Sequence, residues 1–281
     1  MDIEIKPLVS IITVFFNEEK YLGELLSSIL KQTYDNIELI CIDDGSDDGS
    51  AQLIEDYKSA FEDKHIILKY VYQENSGQAS ATNRALKLIS GKYLCWIDGD
   101  DFLYENAIEQ RVDYLEKHPD YGMVTSDFYL WYEKSGQKER KNDLYGNLSY
   151  QTNQFELTMA GEAIIENLAH MVNVELYKKI NPELEINQCK EGQNYQIILP
   201  ILYHYKRGFI NEPQGCYRIH DDSHCHRKRS FEEMIERYDR LIDMVTNTLL
   251  SAGVSEKYTE QLIKCSTFFS EKGRFLDNAR N

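Results

Sequence analysis

Three carboxylates fall within four residues at Asp98-Gly99-Asp100-Asp101, directly after the apolar run Tyr93 to Ile97. Oxygen ligands at this density suit a hard divalent cation such as Mg2+ or Mn2+. A cation held there could bridge two phosphate oxygens and offset the charge of a leaving diphosphate. Gly99 would let backbone approach the ligand. An acidic turn or a helix N-cap would use the same residue types. A second acidic end, Asp43-Asp44-Gly45-Ser46, also reads in two ways: a plain turn, or a carboxylate that accepts hydrogen bonds from a nucleobase or ribose.

These segments need a scaffold, and the hydrophobic pattern supplies one. Leu8 to Phe16, Glu38 to Asp43, Ile66 to Tyr72 and Tyr93 to Ile97 are short apolar runs that predict buried strands. Helical spacing separates them at Tyr21 to Leu30, Ser50 to Ala60 and Gly77 to Leu88. Strands alternating with helices predict βαβ units, a mostly parallel sheet and the α/β class. In such sheets ligands bind beyond the carboxyl ends of the strands. Asn17, Asp43-Asp44, Glu74-Asn75 and Asp98 to Asp101 all fall there, so four separate segments are expected to converge on one edge.

Further on, Glu105 to Lys117 predicts a helix and Tyr121 to Ser126 a strand. Tyr129 to Gln154 is polar and tyrosine-rich, either a loop or an antiparallel excursion over the site. Glu162 to Leu168 and Tyr195 to Tyr205 are helix candidates, and Phe209 to Arg218 a late strand. The stripe Met234, Tyr238, Leu241, Ile242, Val245 and Leu249 predicts a helix, and Glu256 to Phe269 a last one after Gly253. The expected division is a catalytic domain over 1–228 and a helical extension over 229–281. The stripe reads as packing surface, or as a seam for a homodimer or a membrane-bound partner.

The net charge of −16 argues against nucleic acid and against adhesion to anionic lipid. No run is long and apolar enough for a membrane span, and no signal peptide is evident. The expected location is therefore cytoplasmic, or peripheral to a membrane through a partner. The six cysteines form no C-x-x-C pair, which fits free thiols. Cys216, His220, His224, Cys225 and His226 crowd together, but the spacing fits no common zinc site beyond His220 and His224.

Four ordered motifs resemble the family-2 glycosyltransferases of the GT-A fold: Val9 to Glu18, Ile40 to Ser50, Asn75 to Ala79 with Asn83, and Asp98-Gly99-Asp100-Asp101. The resemblance covers roughly Pro7 to Tyr217. It implies an inverting transfer of a sugar from a nucleotide-diphosphate donor, a UDP-sugar, to a glycan, glycolipid or other hydroxyl acceptor, in surface glycan or polysaccharide synthesis. It places Thr13, Val14, Phe16, Asp44, Gly77, Asn83, Asp98 and Gly99 around the donor. Asp100 would hold Mn2+ or Mg2+, with His224 of the late loop as a further ligand. Two departures stand out. Thr82 replaces an arginine often found before Asn83. Gln193-Asn194 replaces the Glu-Asp pair that carries the base, and an amide cannot take a proton as a carboxylate does. Glu191 is the expected substitute base, with Asp127 as its competitor. A nucleotide-sugar-binding partner or regulator with impaired catalysis is the alternative.

Overall fold

The computed structural model describes residues 6–220 and 229–278. Strand β1 (Val9–Phe15) lies at the centre of the first half of the sheet, parallel to β2 (Ile37–Asp43) and β4 (Tyr93–Trp96). β2 in turn pairs in parallel with β3 (Ile67–Tyr72). β1 and β2 are apolar on both faces because both faces are covered. Ile11 and Phe15 of β1 pack with Leu22, Leu25, Leu26 and Ile29 of α1 (Leu22–Leu30). Ile12 and Val14 point the other way, toward Ala81 and Ala85 of α3 (Gln78–Leu86). Helix α2 (Ser50–Asp63) connects β2 to β3.

Beyond β4 the sheet becomes mixed. Its order is β3-β2-β1-β4-β8-β6-β9-β5, with β7 added beside β6. β5 (Phe102–Leu103) leads to α4 (Ala107–Lys117) and β6 (Tyr121–Tyr132). β6 runs six residues past the expected end at Ser126 and returns as β7 (Gln137–Arg140), so the tyrosine-rich stretch begins as an antiparallel excursion. Two 3-10 turns and α5 (Gln154–Met159) follow. The helix expected over Glu162 to Leu168 does not form; that stretch is irregular and ends in a 3-10 turn, Asn167–Ala169. Asn167 is drawn out of any helix because its side chain bonds Trp96 and Asp98.

β8 (His170–Asn173) and α6 (Val174–Ile180) were not foreseen. Four residues are too short a run to show a period. β8 joins β4 to β6, antiparallel to both. α7 (Gln193–His204) precedes β9 (Lys206–Ile219), which is longer at each end than the expected Phe209 to Arg218.

The C-terminal stripe is spent within the chain. Helix α8 (Phe231–Ser251) opens with a capping box, in which Ser230 Oγ accepts from Glu233 N and Ser230 N donates to Glu233. The expected last helix divides at Ser266 into α9 (Glu256–Cys265) and α10 (Thr267–Asn278). Tyr238, Leu241, Met244, Val245 and Leu249 of α8 share one core with Phe155, Met159, Tyr195 and Leu199 of α5 and α7, and with Leu262, Ile263 and Phe268. A shared core predicts joint unfolding. Leu249→Ala, at a fully buried position, should cost about 2–5 kcal/mol. Urea unfolding followed by circular dichroism should show one transition moved to lower urea; a separate early loss of helix would show that α8 to α10 fold apart.

Candidate active site

The carboxyl ends of β1 and β2 are tied together by their own polar residues. Asn17, at φ 57°, turns out of β1. Its side chain donates to Asp47 Oδ1 and accepts from Asp47 N, and its own N–H donates to Ser46 Oγ. Asp43 accepts from Ser46 N and from the Tyr70 hydroxyl, which closes the turn from within. Asp44 is left at the rim. Its Oδ1 accepts from Gln73 Nε2 at 2.7 Å and Ser76 N at 2.9 Å, and its Oδ2 from Gly77 N at 2.9 Å. Asp44 therefore shapes the loop that starts α3, and Oδ2 keeps room for a further donor. Gly77 has φ 87°, where glycine is favoured, and nothing stands where its Cβ would be. Phe16 remains 49% exposed beside this loop, a free ring face at the end of β1.

At the end of β4 the carboxylate turn is held from three sides. Asp98 is half-buried at the cleft, and both its oxygens accept from Asn167 Nδ2 at 2.9 and 3.0 Å. Burial, and then repulsion from Asp100, push the Asp98 carboxyl up to about 7. Asp101 is pushed well above the usual carboxylate range, by burial first and then by Asp100 and Asp98. Its Oδ1 accepts from Arg218 N at 2.9 Å, while Oδ2 is buried without a partner. Arg218 also donates from Nε to the Asp100 carbonyl at 3.0 Å and pairs with Glu24 and Glu133. His220 Nε2 sits 3.0 Å from Asp100 Oδ2.

Asp98 opens into a cleft of about 360 Å³ whose far wall comes from α7, α8 and α10. A smaller recess beside it, lined by Val14, Gln78, Thr82 and Ile97, shares Asp98, Asn167, Gln193 and Asn194 with that cleft. Gln193 and Asn194 form the first turn of α7. Gly192 before them has φ 68°, a conformation that favours glycine, and a Cβ there would press on the flexible end of the Met244 side chain of α8.

The structure separates the expected site residues. Val14, Phe16, Asp44, Gly77, Asp98, Gly99 and Asp100 lie along the carboxyl edge. Thr13 does not face Val14: alternation turns it to the α1 face, where its hydroxyl is buried without a partner. Asn83 is clasped to Ile186, donating to its carbonyl at 2.8 Å and accepting from its N–H at 2.7 Å, so its amide is used in packing α3. Asp127 is fully buried away from the cleft. Its Oδ1 accepts from Phe128 N and Asn142 N, and its Oδ2 pairs with Arg140 at 2.7 Å. Neither oxygen is left for an acceptor hydroxyl. Glu191 does line the cleft, but Arg237 and Arg240 pair with it at 3.0 and 3.3 Å. Burial raises its carboxyl, and the two arginines outweigh that and hold it below the usual range. His224 lies outside the described residues; the histidine placed at Asp100 is His220. Asn167 and Arg218 carry no motif signal, since each reaches the carboxylate turn across 69 or more residues of chain.

The family model described as Glycosyl transferase family 2 matches residues 10–180, more than half of the chain. The chain belongs to this family. Within it, an uncharacterized glycosyltransferase of Rickettsia typhi is 38% identical over 221 residues, 76% of this chain and 65% of its own. One of Rickettsia prowazekii is 39% identical over 132 residues, 47% of this chain and 38% of its own. The first relatives thus extend well beyond the matched part. Among solved structures, Staphylococcus aureus TarS 1-349 with UDP-GlcNAc superposes with a TM-score of 0.70 at 17% identity, over 94% of this chain and 72% of that one. The mannosyltransferase PcManGT from Pyrobaculum calidifontis, with GDP-Man and Mn2+, superposes with a TM-score of 0.66 at 17% identity, over 99% of this chain and 76% of that one. These likenesses establish the GT-A type of α/β fold for this family 2 chain.

The carboxylate turn fits a divalent cation by its chemistry. It offers hard oxygen donors, and two of its three carboxyls are raised, by burial first and then by repulsion from the neighbouring carboxylates. Among the described residues no three His, Cys, Asp or Glu side chains converge on one point. The protein would thus supply part of a ligand set that phosphate oxygens and water complete. A testable consequence concerns pH. A carboxyl raised in the fold favours folding below the unfolded value near 4, and that advantage is lost as pH rises through about 7. Asp98→Asn should therefore gain melting temperature relative to the parent as pH rises from about 4 to about 7 and level off above it. Thermal melts across that range in EDTA check this; a constant difference at every pH would refute it.

Proposed function

We propose that this chain transfers a sugar, with inversion, from a nucleotide-diphosphate donor to a saccharide hydroxyl. The observation that carries the reading is the joint placement of Asp44, Asp98 and Asp100 on one edge of the sheet, at the ends of β2 and β4 on either side of β1, with a cleft opening from Asp98. Phe16 stacks on the base, and Asp44 Oδ2 accepts a base N–H. Asp98 faces the ribose and diphosphate. Asp100 would hold Mn2+ or Mg2+, which when bound would supply positive charge against the diphosphate. Arg218 and His220 fix the turn from behind, so the two carboxylates need little reorganisation when the donor binds.

A UDP-sugar is the donor read here. It is supported by the TarS complex with UDP-GlcNAc, while PcManGT binds GDP-Man on the same fold. Uracil and guanine both offer Asp44 an N–H. Titration of UDP against GDP, each with Mn2+, separates the two. The acceptor is read as a glycan because the cleft wall carries Tyr195, Tyr217, Tyr238 and Phe268 among polar groups. Aromatic rings of that kind pack on the apolar faces of sugar rings.

One observation favours a second reading. Gln193-Asn194 lack a carboxylate, Glu191 is paired with arginines, and Asp127 is occupied. A nucleotide-sugar-binding partner without catalysis would look the same at these residues. Release of nucleoside diphosphate from a donor, even slowly to water, decides for the enzyme.

Two substitutions test the donor site. Asp100→Ala should abolish the Mn2+ dependence of UDP binding with the fold retained, because Asp100 supports no core. Calorimetric titration with and without Mn2+ measures it, and undiminished metal dependence would reject the ligand role. Asp44→Asn should weaken UDP by about 1.5–3 kcal/mol, the worth of one charge-assisted hydrogen bond. Free diphosphate should hardly be affected. Equal losses for both ligands would place Asp44 away from the base.

A further inference from the structure

The cleft beside Asp98 is lined by four carboxylates, and three are already committed. Asp98 belongs to the metal and diphosphate turn. Glu166 pairs with Lys141 at 2.5 Å and accepts from Ile165 N at 3.1 Å. Glu191 is held by Arg237 and Arg240. The fourth, Glu271, comes from α10. It has no ion pair among the described residues; the hydroxyl of Tyr238, another cleft residue, donates to it. A carboxylate with a single neutral donor keeps lone pairs for a substrate hydroxyl.

Packing fixes where this carboxylate stands. Phe268 meets Tyr195 edge to face, with ring centroids 5.2 Å apart. Tyr195 directly follows Gln193-Asn194 in the first turn of α7. Phe268 and Glu271 are three residues apart on α10, hence on one face of it. The contact that docks Phe268 on Tyr195 therefore carries Glu271 to the rim of the cleft beside Asn194. Lys272 pairs with Asp239 of α8, and Thr267 Oγ1 donates to the Met159 carbonyl at 3.3 Å, so α10 is held at both sides of Glu271.

We propose that Glu271 is the general base of the transfer, standing in for the carboxylate that Asn194 lacks. This rests on the glycosyl-transfer reading above. The acceptor hydroxyl gives its proton to a Glu271 oxygen as its own oxygen bonds to the anomeric carbon. The bond from that carbon to the diphosphate breaks, and its electron pair leaves on the phosphate oxygen. Tyr238 orients the carboxylate and stabilises its charged form. Glu271 comes from α10, so this base would be supplied by the C-terminal helices and not by the first turn of α7.

The experiment uses the full chain with Mn2+, the donors UDP-GlcNAc, UDP-glucose, UDP-galactose and GDP-mannose, and octyl glycosides or water as acceptors. Release of UDP or GDP is measured. Glu271→Gln should lower turnover by roughly 10²–10⁴-fold, with the dissociation constant of the nucleotide and the melting temperature nearly unchanged. Tyr238→Phe, which removes the hydroxyl that orients the Glu271 carboxylate, should lower turnover less than Glu271→Gln does and leave the nucleotide's dissociation constant unchanged. A Glu271→Gln protein with near-parental turnover overturns the assignment and leaves the transferase reading standing. A parent that binds and releases no nucleotide overturns both.

Discussion

Negative charge at the end of a buried strand is the constraint around which this molecule is arranged. Asp98, Asp100 and Asp101 crowd one turn, and burial followed by repulsion from their neighbours raises Asp98 and Asp101. Arg218 is the protein's internal answer. It reaches from the end of β9 to the Asp100 carbonyl and the Asp101 carboxyl, and it lies over the rings of Tyr21 and Trp131 at 4.9 and 4.4 Å. Its positive charge is in turn shared with Glu24 and Glu133, so it only partly offsets the turn. On the reading proposed above, the remaining deficit is what a cation at the turn would offset. Strand β9, which brings Arg218 and His220, thereby completes a site whose carboxylates come from β4.

Much of the donor half was legible in the sequence, because it is encoded locally. β1, β2 and β4 are buried on both faces and read as plain apolar runs, and each acidic motif ends its own strand. Parity was the weak point. Thr13 and Val14 are adjacent, but a strand sends them to opposite faces, so both cannot line one pocket through their side chains. Asn83 looked like a ligand contact and is instead a two-way clasp on Ile186, a partner 103 residues away.

The acceptor half was far less legible, for the same physical reason. Its wall is made where α7, α8 and α10 meet, and no single segment carries the pattern. The distance of Glu191 from Gln193-Asn194 in sequence suggested a base. The arginines that neutralise it come from α8, and helical spacing in α8 says only that one face is apolar. The expected helix over Glu162 to Leu168 failed because Asn167 gains more from Trp96 and Asp98 than from a helical position. Asp127 sits at the end of the buried part of β6, where a carboxylate suggests chemistry; it serves there to join β6 to Arg140 of β7.

The two walls of the cleft are written in different parts of the chain. On the reading proposed above, donor-facing groups fall between Val14 and Asp101, whereas the opposite wall of the cleft draws on Ile165 to Tyr195 and on Tyr217 to Glu271. Drift in the second stretch can change what is glycosylated without disturbing what is donated. The shared core limits how that exchange can occur. A foreign α8–α10 unit would have to match Phe155, Met159, Tyr195 and Leu199, and would need a residue at position 244 that tolerates Gly192 beneath it. New acceptor preferences are therefore inherited as a block that includes α5 and α7, and a recombination point is best tolerated before Gln154.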